Sequence, residues 1–247
     1  MGEILAVSRI SSPRPWRCAL WLAMLAAMAV SGCGNDTSRT EGTKIAVDVA
    51  KGIKAKLFSS RKSAANQPKV DSEALAAVAM ESFPGPLIMA KIDSLGTVSA
   101  LGEFGRNGAT QTFSTPQQQT LVFRNGLLVG TRGLGHDLMS ADLGPAADLV
   151  SKRQAGSYRR IYRFLDGEAL ERPVPMTCEL TPGDPKSFAF AGTSYATVQL
   201  SERCISTGLT INNDYWVTQG GTIAMSRQWI GPVLGYVTLN LIRENGI

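Results

Sequence analysis

The sequence has few of the residues that most often bind metals or catalyse acid–base chemistry. Histidine occurs once, at His136, and no two of the four cysteines are spaced as C-x-x-C. A zinc site of the usual Cys and His ligands is therefore not expected. A Ser-His-Asp triad would need His136 as its base, and the sequence contains no G-x-S-x-G elbow for the nucleophile. We predict no metal, no cofactor and no catalytic residue.

A membrane-spanning helix and a nucleic-acid surface are also missing. The apolar run at residues 19–30, ALWLAMLAAMAV, has twelve residues. A helix of that length is too short for a hydrocarbon core of roughly 30 Å. The formal net charge is only +5, and no basic helix or nucleic-acid motif is present. Nucleic acid is therefore not an expected partner.

What the N-terminus does contain is typical of a secretory signal. Arg9, Arg14 and Arg17 precede the apolar run, and the small pair Ser31-Gly32 follows it. The sequence VSGC, ending at Cys33, resembles the lipobox of bacterial lipoproteins. In those proteins the cysteine thiol receives diacylglycerol, the chain is cut before the cysteine, and the new amine is acylated. The alternative is a secretory signal cut nearby, which would leave Cys33 as an ordinary thiol.

Lipidation of Cys33 predicts stable attachment to a membrane, because two or more lipid signals are enough for it. Residue 34 is Gly rather than Asp, so the usual inner-membrane retention signal is missing. We expect the outer membrane, with the protein on its periplasmic face. The predicted parts are a signal peptide at 1–32, the lipidated cysteine and a flexible tether at 33–43, and a single β-rich periplasmic domain at 44–247.

The remaining cysteines predict a disulfide. Cys18 would leave with the signal and Cys33 would carry lipid, so that Cys178 and Cys204 remain for the folded domain. An even pair in an oxidising compartment favours a bridge. Closing a loop of about 27 residues would stabilise the fold by roughly 3 kcal/mol.

Two helices are predicted before the strands begin. Residues 44–58 carry apolar side chains at four-residue steps, which indicates an amphipathic helix. A polar linker at 59–69 follows. Asp71 or Ser72 can then cap a second helix that Pro84-Gly85 ends.

From Pro86 onward, turn residues separate short runs that are either apolar or alternate between apolar and polar residues. Asn125-Gly126 and Gly220-Gly221 indicate two-residue hairpin turns. One short helix is predicted near residues 146–152. The architecture we predict is mainly β, a large antiparallel meander curled into a half-barrel with the early helices on its concave side. The predicted strands are 87–92, 98–104, 111–115, 120–123, 127–132, 158–164, 172–180, 186–191, 195–204, 210–218, 222–229 and 235–242.

Several side chains are candidates for binding a polymer or a protein partner. In a strand, Tyr158, Arg160 and Tyr162 share one face, and arginine can pair with carboxylate or phosphate while tyrosine stacks on a sugar. The alternative is a solvated face with aromatic cross-strand pairs. Two large aromatics, Trp216 and Trp229, are further candidates; in a strand Trp216 points to the opposite face from Tyr215. The last candidates are Arg132 and Asp137, a charged pair that either closes a turn or faces a partner.

Two stretches together resemble the YjbF/GfcB family of lipoproteins encoded in exopolysaccharide and group 4 capsule operons. They are residues 117–143, with a strand, an NG turn, a strand and RGLGHDL, and residues 211–242, which run from NNDYWV to SRQW and beyond. The resemblance implies a role in polysaccharide secretion beside an outer-membrane β-barrel and a small periplasmic protein. It implies no established catalysis, and polysaccharide itself is a further expected partner.

Two other functions make distinct structural predictions. A lipid or lipoprotein carrier would have a continuous apolar cavity. A glycan-processing enzyme would hold two carboxylates roughly 5–9.5 Å apart. The acids available for that chemistry near loops and strand ends are Asp137, Asp142, Glu179 and Asp214.

Overall fold

The computed structural model describes residues 71–244. The predictions for the signal, Cys33, the tether and the helix at 44–58 lie outside these residues. Neither helix in the described part is long and apolar enough to cross a membrane.

Two α-helices, one 3-10 turn at Asp93–Leu95 and twelve strands are the regular elements of the described chain. Helix α1 begins after Asp71, whose carboxylate accepts hydrogen bonds from the N–H groups of Glu73 and Ala74. The elements are α1 (Ser72–Ser82), β1 (Leu87–Ile92), β2 (Thr97–Asn107), β3 (Thr110–Ser114), β4 (Thr120–Arg124), β5 (Leu127–Arg132), β6 (Ser140–Asp142), α2 (Ala146–Lys152), β7 (Gly156–Leu165), β8 (Glu171–Phe190), β9 (Thr193–Ser206), β10 (Leu209–Thr218), β11 (Ile223–Gly231) and β12 (Gly235–Arg243).

All twelve strands form one antiparallel sheet, which confirms the predicted half-barrel. Its order is β5-β4-β3-β2-β1-β12-β11-β10-β9-β8-β7-β6. The chain thus makes two meanders, β1–β5 and β6–β12, and the first and last strands pair at the centre of the sheet. Leu87 to Ile92 run antiparallel to Arg243 to Val237 in that pairing.

The two end strands approach each other, so the half-barrel is nearly closed. The N–H of Thr131 in β5 donates to the carbonyl of Leu138 at 2.9 Å, and the N–H of Met139 donates to the carbonyl of Arg163 in β7 at 2.9 Å. The short segment before β6 therefore connects the two ends of the sheet.

Alternating side chains fill the inside of this barrel. The inner cluster contains Ile88, Leu121, Leu200, Tyr215 and Val237, all buried. Helix α2 closes part of one end, with Ala146 and Val150 in the same cluster.

Helix α1 lies on the opposite, outer face of β1. Its Ala76 and Ala79 pack against Leu87 and Met89, which alternate with the inward Ile88 and Ala90. The tip of the β8–β9 hairpin covers the same place through Phe190. The expectation that this helix fills the concave side is therefore wrong. The inward side chains already occupy that space, and the outer face of β1 is the apolar surface that remains.

The sequence also predicted a break between residues 180 and 186, where TPGDP is typical of a turn. The structure instead has one 20-residue strand, β8, with a register shift between Pro182 and Pro185. Pairing with β9 on both sides of the shift keeps the strand continuous, and a bulge absorbs the proline-rich segment. Strand β6 was not predicted.

Candidate functional site

The inward face of β7 does not reach solvent. Tyr158, Arg160 and Tyr162 are 7%, 1% and 1% exposed. They share a face, as the alternation predicted, but it is the inner one. A polymer cannot contact these side chains in this structure, so the binding role predicted for them is corrected to an internal one.

Glu202 of β9 is the centre of this buried polar cluster. Its carboxylate oxygens lie 2.7 and 2.9 Å from Nη1 of Arg160. It also accepts hydrogen bonds from the Tyr158 hydroxyl at 2.6 Å, the Asn213 amide at 2.6 Å and the Tyr215 hydroxyl at 2.8 Å. Five donor contacts replace water around this carboxylate, whereas Nε of Arg160 is buried without a hydrogen-bond partner among the described residues.

The surroundings determine how these groups titrate. Burial by itself raises the pKa of Glu202, but the Arg160 charge and the hydrogen bonds outweigh it and hold that pKa below its usual value. Burial raises the pKa of Tyr162 to about 12. Burial, with the nearby Glu202 charge, also raises the pKa of Tyr158 and of Tyr215. At neutral pH the cluster therefore contains one carboxylate, one guanidinium and neutral tyrosines.

The predicted disulfide is confirmed and lies beside this cluster. Cys178 and Cys204 face each other across β8 and β9 and are bonded. Both are buried, at 1% and 0% exposure. Their sulfur atoms and a Glu202 oxygen lie within 4.8 Å of one another. The bridge uses both thiols, so this group is not a metal site.

The large aromatics divide as predicted between the two faces. Tyr215 is fully buried and Trp216, its neighbour, is half-buried on the outer face. Trp229 is buried and packs edge-on against Tyr162 and Phe164, with ring centroids 5.1 and 5.4 Å apart. Of these candidates only Trp216 retains a surface that a partner can reach.

Arg132 and Asp137 support the seam between β5 and the segment before β6. Asp137 accepts hydrogen bonds from the hydroxyl of Thr131 and the N–H groups of Gly133 and Leu134, at 2.8 to 3.2 Å. Arg132 donates to backbone carbonyls, including that of Leu138 at 3.1 Å. The two side chains therefore do not bond to each other: Arg132 binds backbone carbonyls, and Asp137 binds backbone N–H groups and the Thr131 hydroxyl.

The other candidates for catalysis are dispersed. His136 is exposed in the loop after β5. Asp142 accepts from the N–H of Gly144 and Asp214 from the hydroxyl of Ser201. Glu179 is exposed on the outer face of β8. Sequence reasoning missed Glu202, the acid buried at the centre, whose only signal was its place in the alternating pattern of β9.

A groove of about 440 Å³ opens at one end of the barrel. Its walls are formed by inward side chains of β1, β3, β4, β11 and β12, together with the two glycine turns that the sequence predicted. Gly126 approaches Ile223 so closely that an added Cβ would lie 2.9 Å from its Cδ1, and an added Cβ on Gly221 would lie 3.0 Å from the Ser151 carbonyl. The turns therefore need glycine both for positive φ, +79° and +88°, and for close packing.

The groove combines an apolar floor with a polar rim. The floor side chains are buried or half-buried and the rim side chains are half-buried or exposed. The floor consists of Ile88, Phe113, Phe123, Ile223, Leu239 and Leu241, and the rim of Gln111, Asn125, Ser151, Thr222, Arg243 and Glu244.

A buried side-chain amide behind the groove supports one of its walls. Gln228 of β11 accepts from the N–H of Leu128 at 2.9 Å and donates to the Gly126 carbonyl and the Ser226 hydroxyl, at 3.3 and 3.0 Å. It thereby ties the end strand β5 to β11 across the barrel. Ser226 and Gly126 both line the groove, so Gln228 holds one wall of the groove in place.

The sequence matches a known family over most of its length. The profile described as "Group 4 capsule polysaccharide lipoprotein gfcB, YjbF" matches residues 52–242. The chain belongs to this family. The two stretches that carry the resemblance, 117–143 and 211–242, converge at the groove: the first supplies Phe123 and Asn125, the second Thr222 and Ile223. No curated protein matches the sequence.

The fold of this chain is similar to that of solved structures. The lipoprotein YmcC from Escherichia coli (K12) has a TM-score of 0.61 and 16% sequence identity, covering 74% of this chain and 100% of that one. An exported protein with a YmcC-like fold from Bacteroides fragilis has a TM-score of 0.29 at 9% identity, covering 64% of this chain and 93% of the other. The YmcC likeness agrees with the half-barrel described above.

Proposed function

We propose that this lipoprotein is anchored by Cys33 to the outer membrane, on its periplasmic face, and acts as a non-catalytic accessory in capsule or exopolysaccharide production and export. The observation that carries the proposal is the family match over residues 52–242. The VSGC lipobox and Gly34 support the anchor and its location. The expected partners are an outer-membrane β-barrel protein and periplasmic export proteins.

The structure favours this function over the two rivals. The inside of the described barrel is filled by the inner cluster, whereas a lipid carrier would need a continuous apolar cavity there. Among the described residues, Glu244 is the single carboxylate that lines the groove, whereas glycoside hydrolysis ordinarily uses two. A half-barrel with a filled core and an open groove fits a protein that binds and positions.

Deletion of the gene tests the proposal directly. We expect secreted polysaccharide to fall under inducing conditions and to recover with the wild-type gene. The variant Cys33→Ser should no longer fractionate with outer membranes and should restore secretion poorly. Unchanged secretion in the deletion strain would contradict the export role, and retention of Cys33→Ser in outer membranes would contradict the lipid anchor.

A pull-down from detergent-solubilised membranes tests the partners. We expect an outer-membrane β-barrel protein to co-purify with the wild type. Trp216→Ala probes the outer face and Lys91→Ala, exposed elsewhere on that face, is its control. Loss of the partner only with Trp216→Ala would locate the contact.

A further inference from the structure

We propose that the groove at the end of the barrel beside α2 binds a segment of one or two uncharged sugar units of a glycan. The inference rests on the proposed function for the polysaccharide context, and on the groove itself for the site and the class of ligand.

The size and lining of the groove suit a small amphipathic ligand. Its volume of about 440 Å³ lies within the range of roughly 300–1,000 Å³ that is usual for binding pockets, and barrel mouths are a common place for them. A sugar ring presents C–H groups on its faces and hydroxyls around its edge. The apolar floor of Phe113, Phe123 and Ile223 matches the first, and the polar rim matches the second.

Two rim amides are available for hydroxyl groups. Gln111 and Asn125 line the groove, and neither side chain hydrogen-bonds to another residue of the described chain. Each amide offers both a donor and an acceptor, and a sugar hydroxyl is also both. This differs from the inner cluster, where Glu202 already has five donor contacts.

The charges of the groove favour a ligand without net charge. Its lining contains one cation and one anion, Arg243 and Glu244. The Arg243 guanidinium donates to the carbonyls of Gly85 and Phe83, and Glu244 accepts from the Thr222 hydroxyl at 3.1 Å. Both are therefore engaged within the protein, and neither sign of charge dominates.

The polar rim argues against an acyl chain. An alkyl chain seated in the groove would cover the Gln111 and Asn125 amides without offering them a hydrogen bond. A sugar can bond to both amides with its own hydroxyls. The chemistry of the rim thus separates a glycan from a lipid ligand.

A steric plug with a matched control tests the site. Gln111 and Thr112 are neighbours on β3, and Phe113, two residues from Gln111, faces the inner cluster. Gln111→Trp therefore places a large ring in the groove, whereas Thr112→Trp places the same ring on the outer face. The probe is a set of di- to tetrasaccharides from partial acid hydrolysis of the polysaccharide that the source bacterium secretes. Calorimetric titration uses the full-length lipidated protein in nanodiscs.

We expect saturable binding to the wild type, a loss of affinity of about tenfold or more with Gln111→Trp, and a change within about twofold with Thr112→Trp. Thermal melting checks that both variants are folded. If Gln111→Trp is not, Gln111→Ala removes the amide without adding bulk and should weaken binding about threefold or more.

Three results of the binding experiment would overturn the inference, and one result of a protein capture would do the same. The three are no saturable binding of any fragment, equal losses with the two tryptophan variants, and binding of dodecanoate that Gln111→Trp abolishes while the fragments remain unaffected. An export protein captured by the wild type and lost with Gln111→Trp, without fragment binding, would assign the groove to a protein partner and so also overturn it. If fragments do not bind but gene deletion still abolishes secretion, the proposed function stands and only this inference fails.

Discussion

The inner cluster around Glu202 and the groove at the barrel mouth are both polar places in a mainly apolar barrel, but they use their polar groups differently. In the cluster, Glu202, Arg160 and Tyr215 are bonded to one another and fully buried. In the groove, Gln111 and Asn125 remain unbonded within the described chain and partly exposed. Polar groups that bond to one another stabilise a fold, whereas unbonded ones at a pocket rim can recognise a ligand. Substitutions in the two regions should therefore affect different properties.

The largest loss of stability should come from separating the buried ion pair. Arg160→Met leaves the Glu202 carboxylate buried without its cation, which is expected to cost about 3–5 kcal/mol in the free energy of unfolding. Urea denaturation followed by circular dichroism measures it. The double variant Arg160→Met/Glu202→Leu removes the unpaired charge and should recover much of the loss. A single variant as stable as wild type would show that the pair does not support the fold.

Removing the disulfide should have the next largest effect. Cys178→Ala/Cys204→Ala removes a cross-link between residues 26 apart in sequence. The free energy of unfolding should therefore fall by roughly 3 kcal/mol. The same denaturation experiment measures it, and adding reductant during unfolding should then change the wild type but not the variant. Reaction of both cysteines with a thiol probe in the unreduced, denatured protein would contradict the bridge.

Gln228 ties β5 to β11 beside the groove, and its replacement should cause an intermediate loss of stability. Gln228→Leu leaves the buried N–H of Leu128 without its acceptor, which costs about 1–3 kcal/mol. Hydrogen exchange should show faster exchange at Leu128 than in wild type. Unchanged exchange at this amide would indicate that β5 is held by its pairing with β4 alone.

The pH dependence should also separate the regions. Because the pKa of Glu202 is lower in the folded than in the unfolded state, its contribution is present above the unfolded pKa and is lost as pH falls through the folded one. Glu202→Gln should flatten the acid limb of stability against pH. The raised pKa of Tyr158, Tyr162 and Tyr215 predicts a second loss as pH rises above the ordinary tyrosine value of about 10. Thermal melts across pH measure both losses of stability. If Glu202→Gln leaves the acid loss unchanged, that loss comes from other carboxylates.

The smallest effect on stability should come from the groove. Gln111→Ala removes a side chain without described hydrogen bonds, so its free energy of unfolding should stay within about 0.5 kcal/mol of wild type. A larger loss in the same urea experiment would mean that the groove rim serves the fold, which would weaken the contrast between the regions.

Local pattern predicted most of the individual elements. Strand β1 and helix α2 have the predicted bounds, and Asp71 caps α1 as expected. Alternation correctly placed Tyr158, Arg160 and Tyr162 on one face of β7. It did not say which face is inside, because a strand with arginine and tyrosine on one side and arginine and isoleucine on the other has no clear apolar face.

By itself, the sequence determined the alternating strands, the glycine turns at Gly126 and Gly221, the cysteine pair and the family. Each of these depends on neighbouring residues or on composition. Only the tertiary structure decided that β1 pairs with β12, that Glu202 meets Arg160 across 42 residues, and that the two turns form one groove. Those contacts join distant parts of the chain, and they form because curling the sheet brings the inward faces of strands far apart in sequence together.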